Sequence, residues 1–353
     1  MNLVLNLTEQ CNLRCSYCYY NHLQEERFCS MNLNILERAI AYGFQRSLEL
    51  GDSFLNITFF GGEPLLKKDL ILKGVDIAKK YKPEKMKLQF AVNTNGTLIN
   101  SFWLDFFKKE NFYLYLSLDG PAEIHDKQRY TIRKHGTFAL IEPHLKTIRQ
   151  LNTTILRVIT HDHIQGLSDS IEWIVNQGFT KVTTAVDFDG KWTSDHFNEL
   201  KKEYEKIASY WVSLKKKKHP LYLGTIQDKI RLELESTSYK KKTCSILERI
   251  VAVSANGTLF PCTRFVFSKP DTLYKIGTVY TGIDESKTQE IKSFLKSDKE
   301  TCKECELKSR CVGNECGCIT FSTTNTLSKV SPEVCTHERM LALICDEAAM
   351  QLI

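Results

Sequence analysis

Residues 3–18 read LVLNLTEQCNLRCSYC, a short apolar run followed by cysteines at positions 11, 15 and 18. The run over residues 3–7 predicts a strand, and the three cysteines follow it within one short loop. Thiols at this spacing can bind three irons of a cubane cluster and leave the fourth iron open to another ligand. Zinc is the alternative, but a structural zinc site usually has four ligands, and no fourth cysteine or histidine fits the spacing.

The composition of the chain is that of a folded protein. It has 353 residues, of which 42% are hydrophobic and 25% charged. No apolar stretch reaches the roughly 18 residues of a membrane-spanning helix, and the N-terminus lacks the basic region of a signal peptide. We therefore expect a cytoplasmic protein with no membrane partner. In a reducing compartment, thirteen clustered cysteines indicate metal or iron–sulfur ligands rather than disulfides.

The net charge of +6 is modest and comes partly from lysine runs at residues 215–218 and 240–242. Such runs usually lie on a solvated surface, and a basic rim facing an acidic peptide is the alternative. No recognisable nucleic-acid motif is present, so no nucleic-acid partner is expected.

Strand-like runs alternate with amphipathic segments through the first half of the chain. This alternation predicts repeated βα units, hence an α/β fold with a parallel sheet closed into a partial barrel. Chemistry is then expected at the carboxyl ends of the strands, where the βα loops converge. The predicted strands are 3–7, 55–60, 87–92, 112–118, 155–160 and 181–186, and the predicted helices are 34–49, 68–80, 101–109, 138–150 and 168–176.

The pattern changes after residue 190, where nine of the thirteen cysteines lie. Asn256-Gly257 stands between two apolar runs and predicts a tight hairpin. The cysteine-dense stretch 302–335 is loop-like and is expected to fold around metal. Helices are predicted at 194–217 and 332–350. We expect a barrel domain over 1–190, a bridging helical region over 191–243 and a cysteine-rich domain over 244–353.

Three further motifs follow the second, third and fourth predicted strands: GGEP at 61–64, NTNG at 93–96 and SLDGP at 117–121. With the cysteine loop and its Tyr17, they resemble the radical S-adenosylmethionine (SAM) enzymes. This resemblance covers residues 1 to about 190. It implies a partial (β/α)6 barrel whose first cluster is held by Cys11, Cys15 and Cys18 and by the amino and carboxylate groups of SAM.

The resemblance also implies a set of residues that contact SAM. Glycines let the backbone approach a ligand closely, short polar side chains suit ribose and carboxylate groups, and a guanidinium suits a carboxylate. Ordinary turn chemistry is the alternative for the polar residues, and a surface salt bridge is the alternative for the arginine. The implied SAM contacts are Tyr17, Gly61, Gly62, Glu63, Asn95, Ser117, Asp119 and Arg129.

The later cysteines resemble the SPASM extension of radical SAM enzymes, which holds two auxiliary iron–sulfur clusters. Its usual pattern is CX9–15GX4C, then CX2CX5CX3C, then a final cysteine. Cys244, Gly257 and Cys262 fit the first part. By this resemblance the proximal cluster, auxiliary I, takes Cys244, Cys262 and one or both of Cys316 and Cys318, and the distal cluster, auxiliary II, takes Cys302, Cys305, Cys311 and Cys335.

The spacing departs from the pattern after Cys311, so the fourth position is ambiguous between Cys316 and Cys318. Three thiolates would leave one iron of the proximal cluster open to substrate, whereas four would close it for electron transfer alone. A zinc ribbon is the alternative for these cysteines. Cys29 and Cys345 fit no pattern and are expected to be small buried side chains.

The resemblance implies that SAM is cleaved to a 5′-deoxyadenosyl radical that abstracts a hydrogen atom, with three [4Fe–4S] clusters in all. The first reading is a peptide maturase that installs an oxidative thioether or carbon–carbon crosslink in a ribosomally made precursor peptide. The alternative is an anaerobic sulfatase-maturating enzyme that makes formylglycine. Those enzymes carry a proton-accepting Asp after the hairpin cysteine, where this chain has Thr263, and an extra cysteine that residues 245–256 lack.

The expected partners are a precursor peptide, a reductant such as flavodoxin or ferredoxin, and a separate leader-binding protein or else the basic rim. Candidate substrate-pocket residues are His161, His163, Asp187 and Asp189, with strand-end caps as the alternative. A non-catalytic iron–sulfur or zinc-binding protein is the alternative from another class.

Overall fold

The structure, a computed structural model, describes residues 1–19, 28–234, 247, 249–266, 274–296 and 299–352. The chain divides into two compact units. The first comprises residues 1–117, 128–153 and 245–293, and the second comprises residues 118–127, 154–244 and 294–353. Cys244 and the lysine run 240–242 lie outside the described residues.

The strands are β1 (Asn2–Asn6), β2 (Phe54–Phe60), β3 (Lys87–Thr94), β4 (Tyr113–Ser117), β5 (Asn152–Ile159), β6 (Lys181–Val186), β7 (Tyr222–Leu223), β8 (Ile250–Val253), β9 (Thr258–Phe260), β10 (Gly277–Thr278) and β11 (Gly282–Ile283). The helices are α1 (Leu33–Glu49), α2 (Lys68–Tyr81), α3 (Ser101–Lys109), α4 (Ala122–Gln128), α5 (Phe138–Ile141), α6 (Leu145–Ile148), α7 (Leu167–Asn176), α8 (Ser194–Lys216), α9 (Gly224–Leu234), α10 (Glu285–Lys296), α11 (Val312–Glu315), α12 (Gly317–Thr324) and α13 (Pro332–Met350). Short 3-10 helices span Pro64–Lys67, Glu142–His144, Thr263–Phe265, Glu300–Cys302 and Glu306–Arg310.

The sheet of the first unit is parallel from β1 through β2 and β3 to β4. On the other side of β1 lies β8, also parallel, and β9, β10 and β11 continue antiparallel. Leu3 is paired with both Ile57 and Val251, and its side chain is fully buried. The pairing of β8 with the first strand was not predicted, because local periodicity carries no information about which distant strand is a neighbour.

The helix boundaries follow local capping chemistry. The Asn32 side chain accepts a hydrogen bond from the Ile35 amide at the start of α1, and Asn100 caps α3 in the same way. The predicted helices agree with the structure with one exception. The predicted helix 138–150 is broken into α5, a 3-10 turn and α6, because Pro143 lies in the turn and cannot donate a helical hydrogen bond.

In the second unit, β5, β6 and β7 are parallel. Helix α8 packs on α13, which also contacts α9. The stretch 302–335 was expected to be loop-like, but it contains short helical segments, including α11 and α12. The predicted hairpin in the first unit is confirmed: β8 and β9 are joined at Gly257, whose φ of 85° suits glycine. Within the described residues, no helix is long and apolar enough to cross a bilayer.

Candidate active site

The first cysteine group follows β1 in a loop of the first unit. Cys15 is 8% exposed, Cys11 and Cys18 are half-buried, and the Cys18 amide donates to the Cys15 carbonyl at 3.1 Å. Burial, the charge of Glu63 and the neighbouring thiols Cys15 and Cys18 together raise the pKa of Cys11 to about 12. A cationic metal group would stabilise the Cys11 thiolate that these surroundings disfavour.

The donor chemistry fits an iron–sulfur cluster. All twelve cysteines that the structure describes are free thiols. Within the described ranges, no three histidine, cysteine or acidic side chains are placed to hold one metal ion. The thiolates of a cubane each bind a different iron, so they do not converge as the ligands of a single ion do. The three cysteines of the loop have the donor chemistry that such a cluster needs.

The cysteine loop is held at its sides by main-chain hydrogen bonds. The amide of Arg14 donates to the Tyr130 carbonyl at 2.7 Å, and that of Ser16 donates to the Gln128 carbonyl at 3.0 Å. Arg129 lies between these two carbonyl groups and is 5% exposed. Its guanidinium is 5.2 Å from the ring centroid of Tyr17. Two predicted SAM contacts far apart in sequence are thereby brought together.

The two glycines of the GGEP motif pack against the segment that leads into Cys11. The Gly62 amide donates to the Thr8 carbonyl at 2.7 Å. A Cβ on Gly61, where φ is 140°, would lie 2.4 Å from the Thr8 carbonyl oxygen. A Cβ on Gly62 would lie 2.2 Å from the Gln10 carbonyl oxygen. Close backbone approach was predicted for these glycines, and the structure identifies the protein backbone as one group that they approach.

Glu63 is 1% exposed, and its carboxylate is satisfied by the protein. One oxygen accepts from the Leu65 amide at 3.0 Å and the Thr94 hydroxyl at 2.7 Å, and the other accepts from the Asn95 amide at 2.8 Å. Burial raises the pKa of this carboxyl to about 7, although these hydrogen bonds oppose the shift. The side chain therefore ties the loop after β2 to the loop after β3, a role that the motif did not reveal.

Asn95 connects the loop after β3 to the cysteine loop. Its side-chain nitrogen donates to Asn12 Oδ1 at 3.0 Å and lies 3.8 Å from Cys11 Sγ. Its side-chain oxygen accepts from the Thr97 amide at 3.0 Å. Ser117 is the last residue of β4 and is half-buried. Hydrogen bonds to ligating sulfurs tune cluster potentials, so Asn95 is placed to influence a cluster bound through Cys11.

The hairpin cysteine Cys262 also lies in the first unit, at the end of β9. Its sulfur is 3.8 Å from the hydroxyl of Thr263. The guanidinium of the next residue, Arg264, lies 5.9 Å from the ring centroid of Tyr19, directly after Cys18. The segment that carries Thr263 is thus adjacent to the first cysteine loop.

Asp119, in the second unit, is fully buried. Its carboxylate accepts from the Val158 amide at 3.1 Å, and its carbonyl accepts from Arg157 Nε at 3.0 Å. The structure therefore gives this predicted SAM contact a bracing role at β5.

The candidate pocket residues also belong to the second unit. His161 lies 3.2 Å from Asp162, and its Nδ1 is buried against Gly190. Asp187 accepts a hydrogen bond at its carbonyl from Trp192 Nε1 at 2.7 Å, and Asp189 is exposed. Burial lowers the pKa of His163, which keeps its ring neutral near pH 7.

The second unit carries the cysteines implied for the distal cluster. Cys302 is 8% exposed, whereas Cys305, Cys311 and Cys335 are half-buried. Burial, together with the charge of Glu338, raises the pKa of Cys311 to about 12. The Cys311 thiol is therefore uncharged near neutral pH, and a bound metal would stabilise its thiolate.

Cys316 and Cys318 flank the start of α12 in the second unit. Cys316 is half-buried and donates its amide to the Val312 carbonyl at 2.7 Å, whereas Cys318 is 3% exposed. Cys345 is fully buried, as expected. The expectation for Cys29 was wrong, because Cys29 is half-buried in a loop whose main chain is held by Glu9.

Comparison with known proteins identifies the family. Residues 5–177 match the Radical SAM superfamily. These residues therefore form a radical SAM domain, which confirms the prediction from the four motifs. That family implies a [4Fe–4S] cluster and SAM as cofactors, and the cysteine loop after β1 has the donor chemistry for the cluster.

The chain resembles anaerobic sulfatase-maturating enzymes in sequence. It is 32% identical over 184 residues to a cysteine-type enzyme of Clostridium novyi (strain NT). The aligned region covers 50% of this chain and 48% of the relative. It is also 24% identical over 345 residues to the cysteine-type enzyme of Clostridium perfringens (strain 13 / Type A). In this case the aligned region covers 88% of this chain and 87% of the relative. The chain spans about half the length of the first relative and most of the second.

Two solved structures show the same fold. Native anSMEcpe with bound AdoMet and Cp18Cys peptide matches with a TM-score of 0.81 at 19% identity, over 99% of each chain. Streptococcus suis SuiB bound to precursor peptide SuiA matches with a TM-score of 0.64 at 16% identity, over 95% of this chain and 75% of SuiB. The predicted fold class, a radical SAM barrel with a cysteine-rich extension, is confirmed.

Proposed function

We propose that this enzyme oxidises a side chain of a polypeptide substrate and that the product is formylglycine, made from cysteine or serine. The observation that carries the proposal is the similarity to the cysteine-type anaerobic sulfatase-maturating enzyme of Clostridium perfringens over 88% of this chain. The fold shared with native anSMEcpe bound to AdoMet and a peptide agrees with it. The sequence relatives named as sulfatase-maturating enzymes support the same reaction. The sequence alone favoured crosslinking and left formylglycine formation as the alternative. The relatives favour formylglycine formation instead.

The proposed cofactors are three [4Fe–4S] clusters and SAM. Cys11, Cys15 and Cys18 would hold the first cluster, and the residues around Tyr17 and Gly61 would hold SAM. When bound, these groups supply a 5′-deoxyadenosyl radical that abstracts a hydrogen atom. Two contacts would orient that chemistry: the Arg129 guanidinium lies 5.2 Å from the Tyr17 ring centroid, and Asn95 donates toward the Cys11 sulfur. Fixing a C–H bond near the reacting carbon is the main contribution that such a protein makes.

Crosslinking is the second candidate, and Thr263 favours it. Formation of an aldehyde releases a proton, and the threonine hydroxyl cannot accept one near neutral pH. Thr263 also lies in the segment adjacent to the first cysteine loop, through the contact of Arg264 with Tyr19. A crosslink through a peptide thiol needs no base at this position if the sulfur is already bound to iron as a thiolate.

The distinguishing experiment uses anaerobically reconstituted enzyme, SAM, dithionite and two peptides. The peptides are a sulfatase-motif peptide with cysteine or serine at the reacting position and a cysteine-containing precursor peptide encoded near the enzyme. Mass spectrometry separates the products. Formylglycine from cysteine loses sulfur, whereas a crosslink loses two hydrogens and its fragments stay joined. Formation of 5′-deoxyadenosine without any peptide product would contradict both candidates. If no 5′-deoxyadenosine forms, a non-catalytic protein is favoured.

The proposed partners follow from this chemistry. A low-potential reductant such as flavodoxin or ferredoxin would supply the first electron. For a precursor peptide, the leader would be recognised by a separate protein or by basic residues of the barrel. Replacing dithionite by each electron carrier in the same assay tests the first proposal.

A further inference from the structure

Cys311 lies between two peptide groups that are held by buried charges. Lys229 on α9 donates from Nζ to the Arg310 carbonyl at 2.7 Å. Glu338 on α13 accepts from the Val312 amide at 2.7 Å, through Oε2. The same oxygen lies 2.7 Å from Lys229 Nζ. The ion pair between α9 and α13 therefore forms hydrogen bonds with the main chain on both sides of Cys311.

Burial makes this pair unusual. Lys229 is 7% exposed and Glu338 is 4% exposed. A buried ion pair generally stabilises a fold no more than well-packed apolar side chains of similar volume. Apolar residues would hold α9 against α13 equally well. Only the charged pair can form hydrogen bonds with the main chain on both sides of Cys311.

The remaining atoms of Glu338 are also held in place. Its Oε1 lies 3.2 Å from His337 Nδ1, and His337 Nε2 lies 3.0 Å from the hydroxyl of Tyr204. Arg310 forms two hydrogen bonds of 2.6 Å with Asp346, also on α13. Arg310 is thus held to α13 through Asp346, and Val312 is held to the same helix through Glu338.

Helix α13 carries another cysteine implied for the same cluster. Glu338 follows Cys335 by three residues, so the two side chains lie on one face of α13, one turn apart. We propose that Lys229 and Glu338 are positioning residues that fix Cys311 relative to Cys335 before a cluster binds. This inference rests on the proposed function with its three clusters, and on the SPASM resemblance, which implies that both cysteines hold the distal cluster.

The expected consequence is physical preorganisation. A loop that must become ordered when metal binds loses conformational entropy at that moment, which weakens binding. Substitution of residues that orient metal ligands typically costs about 10- to 100-fold in metal affinity. We therefore expect the distal cluster to be bound about tenfold more weakly when the two hydrogen bonds to the main chain around Cys311 are removed.

The test compares two double variants in the full chain. Lys229→Met/Glu338→Leu replaces the pair with apolar side chains and removes both main-chain hydrogen bonds. The control is Lys206→Met/Glu203→Leu in the same unit. Glu203 is also 4% exposed, pairs with Lys206 at 2.7 Å and accepts from the Ser168 amide at 2.7 Å, but no cysteine is adjacent.

Two readouts are independent of enzyme activity. In the metal-free protein, hydrogen exchange at residues 310–313 should accelerate in the first variant and stay unchanged in the control. In reconstituted protein at equilibrium, about tenfold less chelator should remove about four irons from the first variant, and the control should match the unsubstituted enzyme. Thermal unfolding of the metal-free variants checks that both fold, and Glu338→Asp tests whether a shortened carboxylate partly restores iron retention.

The outcomes separate this inference from the function on which it rests. Unchanged exchange and unchanged iron release in the folded first variant would overturn the positioning role. If Cys311→Ala retains the full iron content of the unsubstituted enzyme, the ligand assignment fails, and the positioning of a ligand fails with it.

Discussion

The main-chain carbonyl oxygen of Gln10 lies 2.2 Å from the position that a Cβ on Gly62 would occupy. No side chain fits at that distance, so the loop after β2 can lie against the chain that enters the cysteine loop only if residue 62 is glycine. The glycine pair is therefore part of the structure that shapes the first cluster site.

Gly62→Ala is expected to displace the cysteine loop. The new methyl group meets main-chain atoms that cannot rotate away, so we expect a loss of about 2 kcal/mol in the free energy of unfolding, with reduced iron at the first cluster. Gly51→Ala is the control, since Gly51 has a φ of 68° and no atom within 4 Å of its Cβ position. It should cost about 1 kcal/mol through backbone strain alone and leave the iron content unchanged. Equal iron content in both variants would contradict this explanation.

Replacing Cys11, Cys15 and Cys18 together by alanine should abolish SAM cleavage. With three cubanes, about twelve irons per chain are expected after anaerobic reconstitution, and this variant should lose about four. Iron analysis and chromatography of 5′-deoxyadenosine measure the two effects. Cys345→Ala, a change at a fully buried thiol outside every motif, is the control and should retain both. SAM cleavage by the triple variant would disprove the cluster assignment.

Glu63 should make stability depend on pH. Its pKa rises from the ordinary 4.5 to about 7 in the folded protein. A carboxyl with a raised pKa stabilises the fold fully below its unfolded-state pKa, and this contribution is lost as the pH rises through the folded value. The loss is on the order of 3 kcal/mol at about 1.4 kcal/mol per pKa unit. Glu63→Gln cannot ionise, so urea unfolding of the metal-free protein between about pH 4.5 and 7 should show a flatter dependence. Parallel profiles would refute the prediction.

Cys316→Ala and Cys318→Ala separate an open proximal cluster from a closed one. If one iron is open to a peptide thiolate, only one of these cysteines is a ligand, and only one variant should lose the peptide product while SAM cleavage continues. If both are ligands, the two variants should lose product equally, which leaves a closed cluster that transfers electrons. Mass spectrometry of the peptide and assay of 5′-deoxyadenosine distinguish the two cases.

Thr263→Val is expected to leave the rate of peptide modification within about twofold, because a hydroxyl is no proton acceptor near pH 7. Valine keeps the shape of threonine and removes only the hydroxyl. The rate is measured as product per enzyme under single-turnover conditions. A loss of about 100-fold, the usual effect of removing a general base, would show that this position takes part in proton transfer.

Much of this protein was predictable from local sequence. The strand and cysteine loop of residues 3–18, the alternating βα periods and the Asn256-Gly257 hairpin all express local chemistry, which the tertiary structure does not override. The cysteine loop and the motifs at 61–64, 93–96 and 117–121, taken in order, also carried the resemblance to the radical SAM enzymes. The helix break at Pro143 was equally local, since proline lacks the amide hydrogen that a helix needs, but the amphipathic pattern of 138–150 concealed it.

Only the tertiary structure decided which distant groups meet. Residues 2–5 pair with residues 250–253, and the Glu63 carboxylate binds Thr94 and Asn95 rather than facing outward. Lys229 and Glu338 are separated by 109 positions, yet they close on the two sides of Cys311. Periodicity reports which face of an element is apolar, but burial and long-range pairing depend on how the elements pack, so a buried charge has no signature in its neighbouring residues.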